Sequence, residues 1–365
     1  MRVSFCRKIR WHFAIPALVA GVVTTADAQR PVRVCAGGDV AMGTNLNTRW
    51  ANGRVANGQP VRAIPDPLVL TPPLVPLFAG ADVALVNVEG AIGSGPAPQK
   101  CRPGSSVCYA IRQPPGTETA LRAINPAAAV VGSVANNHAR DAGAAGFAET
   151  LRRLQSAGVL ATGADTLATP VPVAEGDTIG VLGFSVWNAP SALDLVAVKR
   201  HVRRAVERYR RVIVTAHIGA EGAVARHTPD SAERFAGEAR GNSVAFGRVA
   251  AEAGAVMVLN HGPHVLRGVE WVGQTLVAHS LGNLLTYGPF NLRAYNGRAA
   301  VLCATIEADG LVTQGLLHPT RQTPPGIVSA DPDSLGIADI RELSAADFPL
   351  TGAVIGAGGT ISRRP

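Results

Sequence analysis

A recurring unit constrains this chain most: a short run of apolar, often β-branched residues, a polar turn, then a stretch with helical spacing. The runs cover residues 32–36, 83–86, 129–135, 179–184, 212–216, 255–259 and 275–278. Between them lie helical stretches such as 143–157, with Phe147, Leu151 and Leu154 on one face, and 242–253, which Asn242 or Ser243 can cap. Strands alternating with helices predict an α/β fold, a largely central sheet with helices on its faces. After Tyr287 the pattern changes. Residues 299–307 and 311–317 predict a hairpin across Ala308-Asp309-Gly310, and the tail from Pro319 reads as loop-rich, with a short helix near 337–343. The Gly/Pro-rich stretches 45–76 and 90–115 read as long loops inside a single domain over 29–365. A chain of 365 residues can bury its core without help from metals or disulfides.

The ends of the runs carry the chemistry. VCAGGD ends in Asp39, VALVNVE in Asn87 and Glu89, and VVGSVANNH in Asn136, Asn137 and His138. VIVTAH ends in His217, VMVLNHGPH in His261 and His264, and TLVAHSLGN in His279, Ser280 and Asn283. In open α/β sheets the loops at the carboxyl edge converge on a ligand. Carboxylate, amide and imidazole groups brought there are donors that a hard or borderline divalent cation accepts. Glu221 adds a carboxylate through His217-x-Gly219-x-Glu221, whereas Asp141, two residues before a helix, reads as its N-cap.

A rival chemistry rests on AHSLG at 278–282, which resembles the serine-hydrolase elbow G-x-S-x-G and would make Ser280 a nucleophile. The elbow has to open into a helix, yet Gly288 and Pro289 follow within eight residues, and His318 is the only later histidine.

Arg2, Arg7, Lys8 and Arg10 precede an apolar stretch at 13–23, and Ala26-Asp27-Ala28 has the small-x-small form of a cleavage site. Residues 1–28 therefore read as a signal peptide, with an uncleaved anchor as the second reading. The mature chain is expected to be exported, periplasmic or extracellular. The leader holds four of the positive residues and one negative, so the net charge of +8 falls to +5 without it. KRHVRRAVERYRR at 199–211 has no aromatic platform beyond Tyr209 and reads as a solvated helix face, so no nucleic-acid partner is expected. Cys101 and Cys108 flank a Pro/Gly/Ser loop and are expected to form a disulfide, while Cys35 and Cys303, in separate strand-like runs, read as buried thiols.

Taken together, GGDVAMG (37–43), NVEGAI (87–92), IRQPP (111–115), SVANNHARDAGAAGFAETLRRLQSAGV (133–159), AHIGAEG (216–222), NHGPHV (260–265) and HSLGN (279–283) resemble the CapA family. These are bacterial poly-gamma-glutamate capsule biosynthesis proteins, similar in fold to calcineurin-like metallophosphoesterases. The blocks span roughly residues 33–290 in family order, leaving a hairpin and tail over 291–365. The resemblance implies a four-layer αββα sandwich and a hydrolase using one or two divalent cations of Mn, Fe, Zn or Mg. Asp39, Glu89, Asn137, His217, His261 and His264 are the implied ligands, with Asn87 as a substitute for Glu89 and with Glu221 and Asn283 behind them. His138 stands at the implied general acid or transition-state stabiliser, and nearby Arg112 is expected to orient an anionic substrate. The implied partners are an anionic envelope polymer or a small phosphoester, and membrane-bound capsule synthesis proteins. A non-catalytic component of a capsule export machine is the alternative. Ala41 stands where the phosphoesterase Asp-x-His has its histidine, and Ile218 replaces the Trp of the family's His-Trp-Gly.

Overall fold

The computed structural model describes Met1 and residues 30–46, 55–56, 59–60, 64–101, 108–174 and 176–365. The expected leader lies outside the described residues except for Met1. In chain order the main strands are β1 (Val32–Met42), β2 (Val83–Val88), β3 (Ala129–Ser133), β4 (Val159–Thr162), β5 (Thr169–Ala174), β6 (Asp177–Ser185), β7 (Val212–His217), β8 (Glu233–Phe235) and β9 (Glu238–Gly241). They continue with β10 (Met257–His261), β11 (Val269–Val272), β12 (Thr275–Ala278), β13 (Asn283–Tyr287), β14 (Arg298–Ile306), β15 (Val312–Thr323), β16 (Ile327–Ala330), β17 (Val354–Ile355) and β18 (Thr360–Ser362). The main helices are α1 (Thr117–Ala123), α2 (Gly143–Ser156), α3 (Leu195–Val206), α4 (Ser243–Glu252) and α5 (Leu335–Asp347).

The strands form two large sheets where the apolar runs alone implied one. A ten-stranded sheet has the order β17-β18-β15-β14-β1-β2-β3-β4, with β13 on β1 and β16 on β15. A six-stranded sheet has the order β11-β12-β10-β7-β6-β5. Side chains alternate along a strand, so each sheet has two faces to cover. Val32, Val34 and Ala36 of β1 pack with Val83 and Leu85 of β2 against Ile213, Met257 and Leu259 of the other sheet. The next residues along, Cys35, Ala84 and Val86, meet Leu121 of α1 and Phe147 and Leu154 of α2. On the far side Val212 and Val214 meet Val198 and Val202 of α3 and Phe246 of α4. The result is a four-layer αββα sandwich. Strands covered on both faces read as unbroken apolar runs, and each fully buried Val, Leu or Ile contributes about 1.5–3 kcal/mol.

Two expectations are corrected. The tail is not loop-rich: β15 to β18 complete the large sheet, and α5 sends Ile337 and Ile340 into the core between the sheets. The edge strands β17 and β18 are too short for periodicity to register. Cys35 and Cys303 are also not free thiols. They face each other across the antiparallel β1–β14 pair and are disulfide-bonded. Pairing register is not visible in a sequence, so two strand cysteines far apart look unrelated. Cys101 and Cys108 are bonded as expected. Asn242 caps α4, its side chain accepting from Ala245 N at 2.9 Å.

Candidate metal centre

The carboxyl ends of β1 and β2 in one sheet and of β7 and β10 in the other deliver their side chains to one place. Asp39 gets there through an irregularity in β1, whose register against β2 shifts between Ala36 and Asp39. Such a shift re-aims a side chain. Gly38 makes room for it, since a Cβ there would collide with the Gly282 carbonyl, which accepts from Asp39 N at 3.0 Å. His217 and His261 are register partners on adjacent parallel strands, so their rings lie side by side. His264 follows in a loop with φ of 59°, a left-handed conformation uncommon outside glycine and found where a side chain is held for a purpose.

His264 Nδ1 lies 2.9 Å from Asp39 Oδ2 and its Nε2 lies 3.4 Å from Glu89 Oε1. His217 Nε2 is 3.9 Å from the same Glu89 oxygen, and its Nδ1 is 3.9 Å from Asp39 Oδ1. Ligand atoms of Glu89, His217 and His264 all lie within 4.8 Å of one another. Asn87 donates to Asp39 Oδ1 at 2.8 Å and approaches His217 Nδ1 at 3.2 Å, so it ties these two side chains together. Asn283 Oδ1 lies 3.1 Å from His264 Nδ1. Glu221 has Oε2 at 3.9 Å from His264 Nε2 and its other oxygen on Arg240.

The buried atoms left without partners test whether a cation fits. Thr215 Oγ1 donates to Leu259 O at 2.7 Å, so it can only accept from His261 Nε2 at 2.6 Å. That leaves His261 Nδ1 bare, and it has no hydrogen-bond partner. His217 Nε2 and Asn137 Oδ1 are likewise buried and unpartnered. Such atoms are costly in a folded protein unless something meets them, and nitrogen and oxygen donors beside two carboxylates suit a divalent cation.

The electrostatics agree. Burial alone would raise Asp39, but the imidazoles of His264, His217 and His261 outweigh it and hold the carboxylate below its ordinary range. Burial, helped by Asp39, Glu221 and Asp141, pushes Glu89 up to about 8. Burial also lowers His261 to about 4 and His217 well below the usual histidine range. His264 goes the other way: the carboxylates of Glu89 and Asp39 overcome burial and raise it.

Of the other expected residues, His138 is 9 % exposed, with Nδ1 2.7 Å from Asp141 Oδ2. Asp141 is therefore not the cap of α2, whose N-cap position is Ala142 with no side-chain hydrogen bond. Its carboxylate instead holds His138 and the Ile111 amide, and Lys100 pairs with its other oxygen. Asn136 fixes this loop, accepting from His138 N at 3.0 Å and donating to Val88 O at 2.8 Å and Asn87 Oδ1 at 3.0 Å. Arg112 has its guanidinium engaged by Asn45 and the Gly95 carbonyl, in the loop wall. Ser280 Oγ accepts from Gly282 N, and strand β13 follows where an elbow needs a helix. The adjacent His279 is committed to Ser243 and Glu270, all three fully buried. A serine-hydrolase reading of Ser280 has no support in this arrangement.

Sequence reasoning passed over Trp187, Asn188 and Arg240. The Trp187 ring lies 5.4 Å from His217, Arg240 stacks on Trp187 at 4.5 Å, and Asn188 donates to Asn136 O at 3.1 Å. The end of β6 obeys the same strand-end rule as the others, so Trp187 and Asn188 were within reach of it.

Carboxylates, amides and imidazoles from both sheets are thus gathered at the strand ends of an αββα sandwich. The chain belongs to the family described as bacterial capsule synthesis protein PGA_cap, which matches residues 33–287. No curated protein matches the chain. Among solved structures it is similar to a 5'-nucleotidase precursor from Thermus thermophilus (12% identity, TM-score 0.44, covering 88% of this chain and 59% of that one). It is also similar to the NAD nucleotidase NadN of Haemophilus influenzae (12%, TM-score 0.38, 87% and 56%). A third is GAP50, the anchor in the inner membrane complex of Plasmodium (9%, TM-score 0.40, 86% and 95%). The chain thus spans less than two thirds of either nucleotidase.

Proposed function

We propose that this chain is an exported, metal-dependent hydrolase of capsule biosynthesis, acting on a phosphoester or on an amide or ester of an anionic envelope polymer. The observation that supports it is the meeting of Asp39, Glu89, His217 and His264 beside the unpartnered buried atoms of His217, His261 and Asn137. These six residues would hold one or two divalent cations. Such a cation supplies the positive charge that activates water and polarises the scissile bond.

The chain's own groups do the rest. Asp141 holds His138 through Nδ1 and favours its imidazolium form, from which Nε2 would give a proton to the leaving oxygen. Asn87 and Asn283 keep Asp39 and His264 in register, and Trp187 covers the His217 ring against water. Two disulfides fit an oxidising compartment and so support export.

The test is elemental analysis of the purified chain, followed by hydrolysis of a generic phosphodiester with and without Mn²⁺. Bound metal is expected, with turnover reduced about 10²–10⁴-fold in His138→Ala and metal content unchanged. Folded protein that binds no divalent cation would reverse the reading and leave a non-catalytic component of a capsule assembly.

A further inference from the structure

Helix α3 carries a row of cations that the candidate metal centre does not use. Val196, Arg200 and Arg204 follow one another at four-residue steps, about 6 Å apart along one face. Arg203 is exposed beside them. Lys199 pairs with Glu252 at 3.0 Å, and Arg208 lies over the Tyr209 ring. Among the described residues Arg200, Arg203 and Arg204 have no ion-pair partner.

Beside this row runs a groove of about 750 Å³ with Leu195, Val196 and Val249 as its aliphatic part, Lys199, Arg200, Arg203 and Arg204 as its cationic part and Glu207 as a carboxylate at its edge. Val196 is 76% exposed and Leu193, just before the helix, 47%. Aliphatic side chains set among arginines are the composition of a surface that lies on a bilayer, whereas a soluble polycarboxylate offers nothing to the aliphatic part.

The chain enters the fold at the far end of the same segment. Arg211, just past α3 and before β7, donates to the Arg30 carbonyl at 3.0 Å. Arg30 therefore sits next to this basic segment, and in sequence it follows the basic residues and the apolar stretch 13–23. No described helix is long and apolar enough to cross a membrane.

We propose that the outer face of α3 and its groove form a docking surface for an anionic phospholipid bilayer. α3 crosses between the parallel strands β6 and β7 and so runs antiparallel to them, with Val196 toward the strand ends that carry His217 and Arg204 toward the Arg211 end.

Residues 30–365 hold every described strand and helix, so a chain beginning at Gln29 tests the surface without the leader. Co-sedimentation with phosphatidylcholine vesicles containing one third phosphatidylglycerol is expected to capture it, while vesicles of phosphatidylcholine alone do not. Capture should weaken with added salt. Arg200→Glu with Arg204→Glu should lower it at least about tenfold, and the charge-matched pair Arg152→Glu with Arg321→Glu, on other faces, should not. Val196→Ser should lower it as well. Equal loss in both charge-reversal pairs would overturn the proposal. So would failure to bind anionic vesicles, or a stripe that binds soluble polyglutamate with no dependence on Val196.

Discussion

Glu89 and His264 face each other across 3.4 Å, and both are shifted upward, for different reasons. Burial among other carboxylates pushes Glu89 up to about 8, while those carboxylates raise His264. A cation taking Glu89 must displace the proton that burial favours on it, so its binding strengthens as pH rises toward about 8. The expected gain is about tenfold in affinity per pH unit for each proton released, read by calorimetric titration with Mn²⁺. A flat profile would mean that Glu89 does not take the ion. At this scale the sequence was informative for residues at the ends of long apolar strands. It misjudged Asp141, because a carboxylate before a helix looks like a cap until a histidine three residues upstream is seen turned toward it. Arg240 gave no signal at all, since its partners Glu221 and Trp187 come from other segments.

The elements place these groups by small departures from regularity. The Gly37-Gly38 pair lets β1 run under the loop that precedes β13, and the register shift there turns Asp39 into the centre. Gly38→Ala should therefore cost about 1–3 kcal/mol in a chemical-denaturation experiment and weaken cation binding in the folded fraction. Normal binding at reduced stability would show that Asp39 does not depend on this close approach. Strand and helix alternation was legible because strands covered on both faces are almost wholly apolar. The short strands of the tail were not. Their residues alternate between core and solvent over too few positions for a pattern to emerge, and only pairing with β15 gives them an identity.

For the whole molecule, the partition into two sheets was the part no run of residues could announce, because a parallel strand reads the same in either sheet. Its consequences reach the cysteines. The Cys35–Cys303 bond closes a separation of 268 residues, joining the strand that opens the fold to β14, which follows the motif region. Replacing both by alanine should lower unfolding free energy by about 2–5 kcal/mol. Intact-mass analysis of the unreduced protein should show both disulfides, and free thiols at 35 and 303 would remove this one.

The donors come half from one sheet and half from the other: Asp39 and Glu89 on one side, His217 and His261 on the opposite side. A captured ion would act as a rivet across the seam, and prising the layers apart would mean expelling it. Heat tolerance should then climb with cation concentration, by about 2.7 kcal/mol at a hundredfold excess over the dissociation constant. A melting temperature indifferent to added Mn²⁺ would show that the seam closes without one.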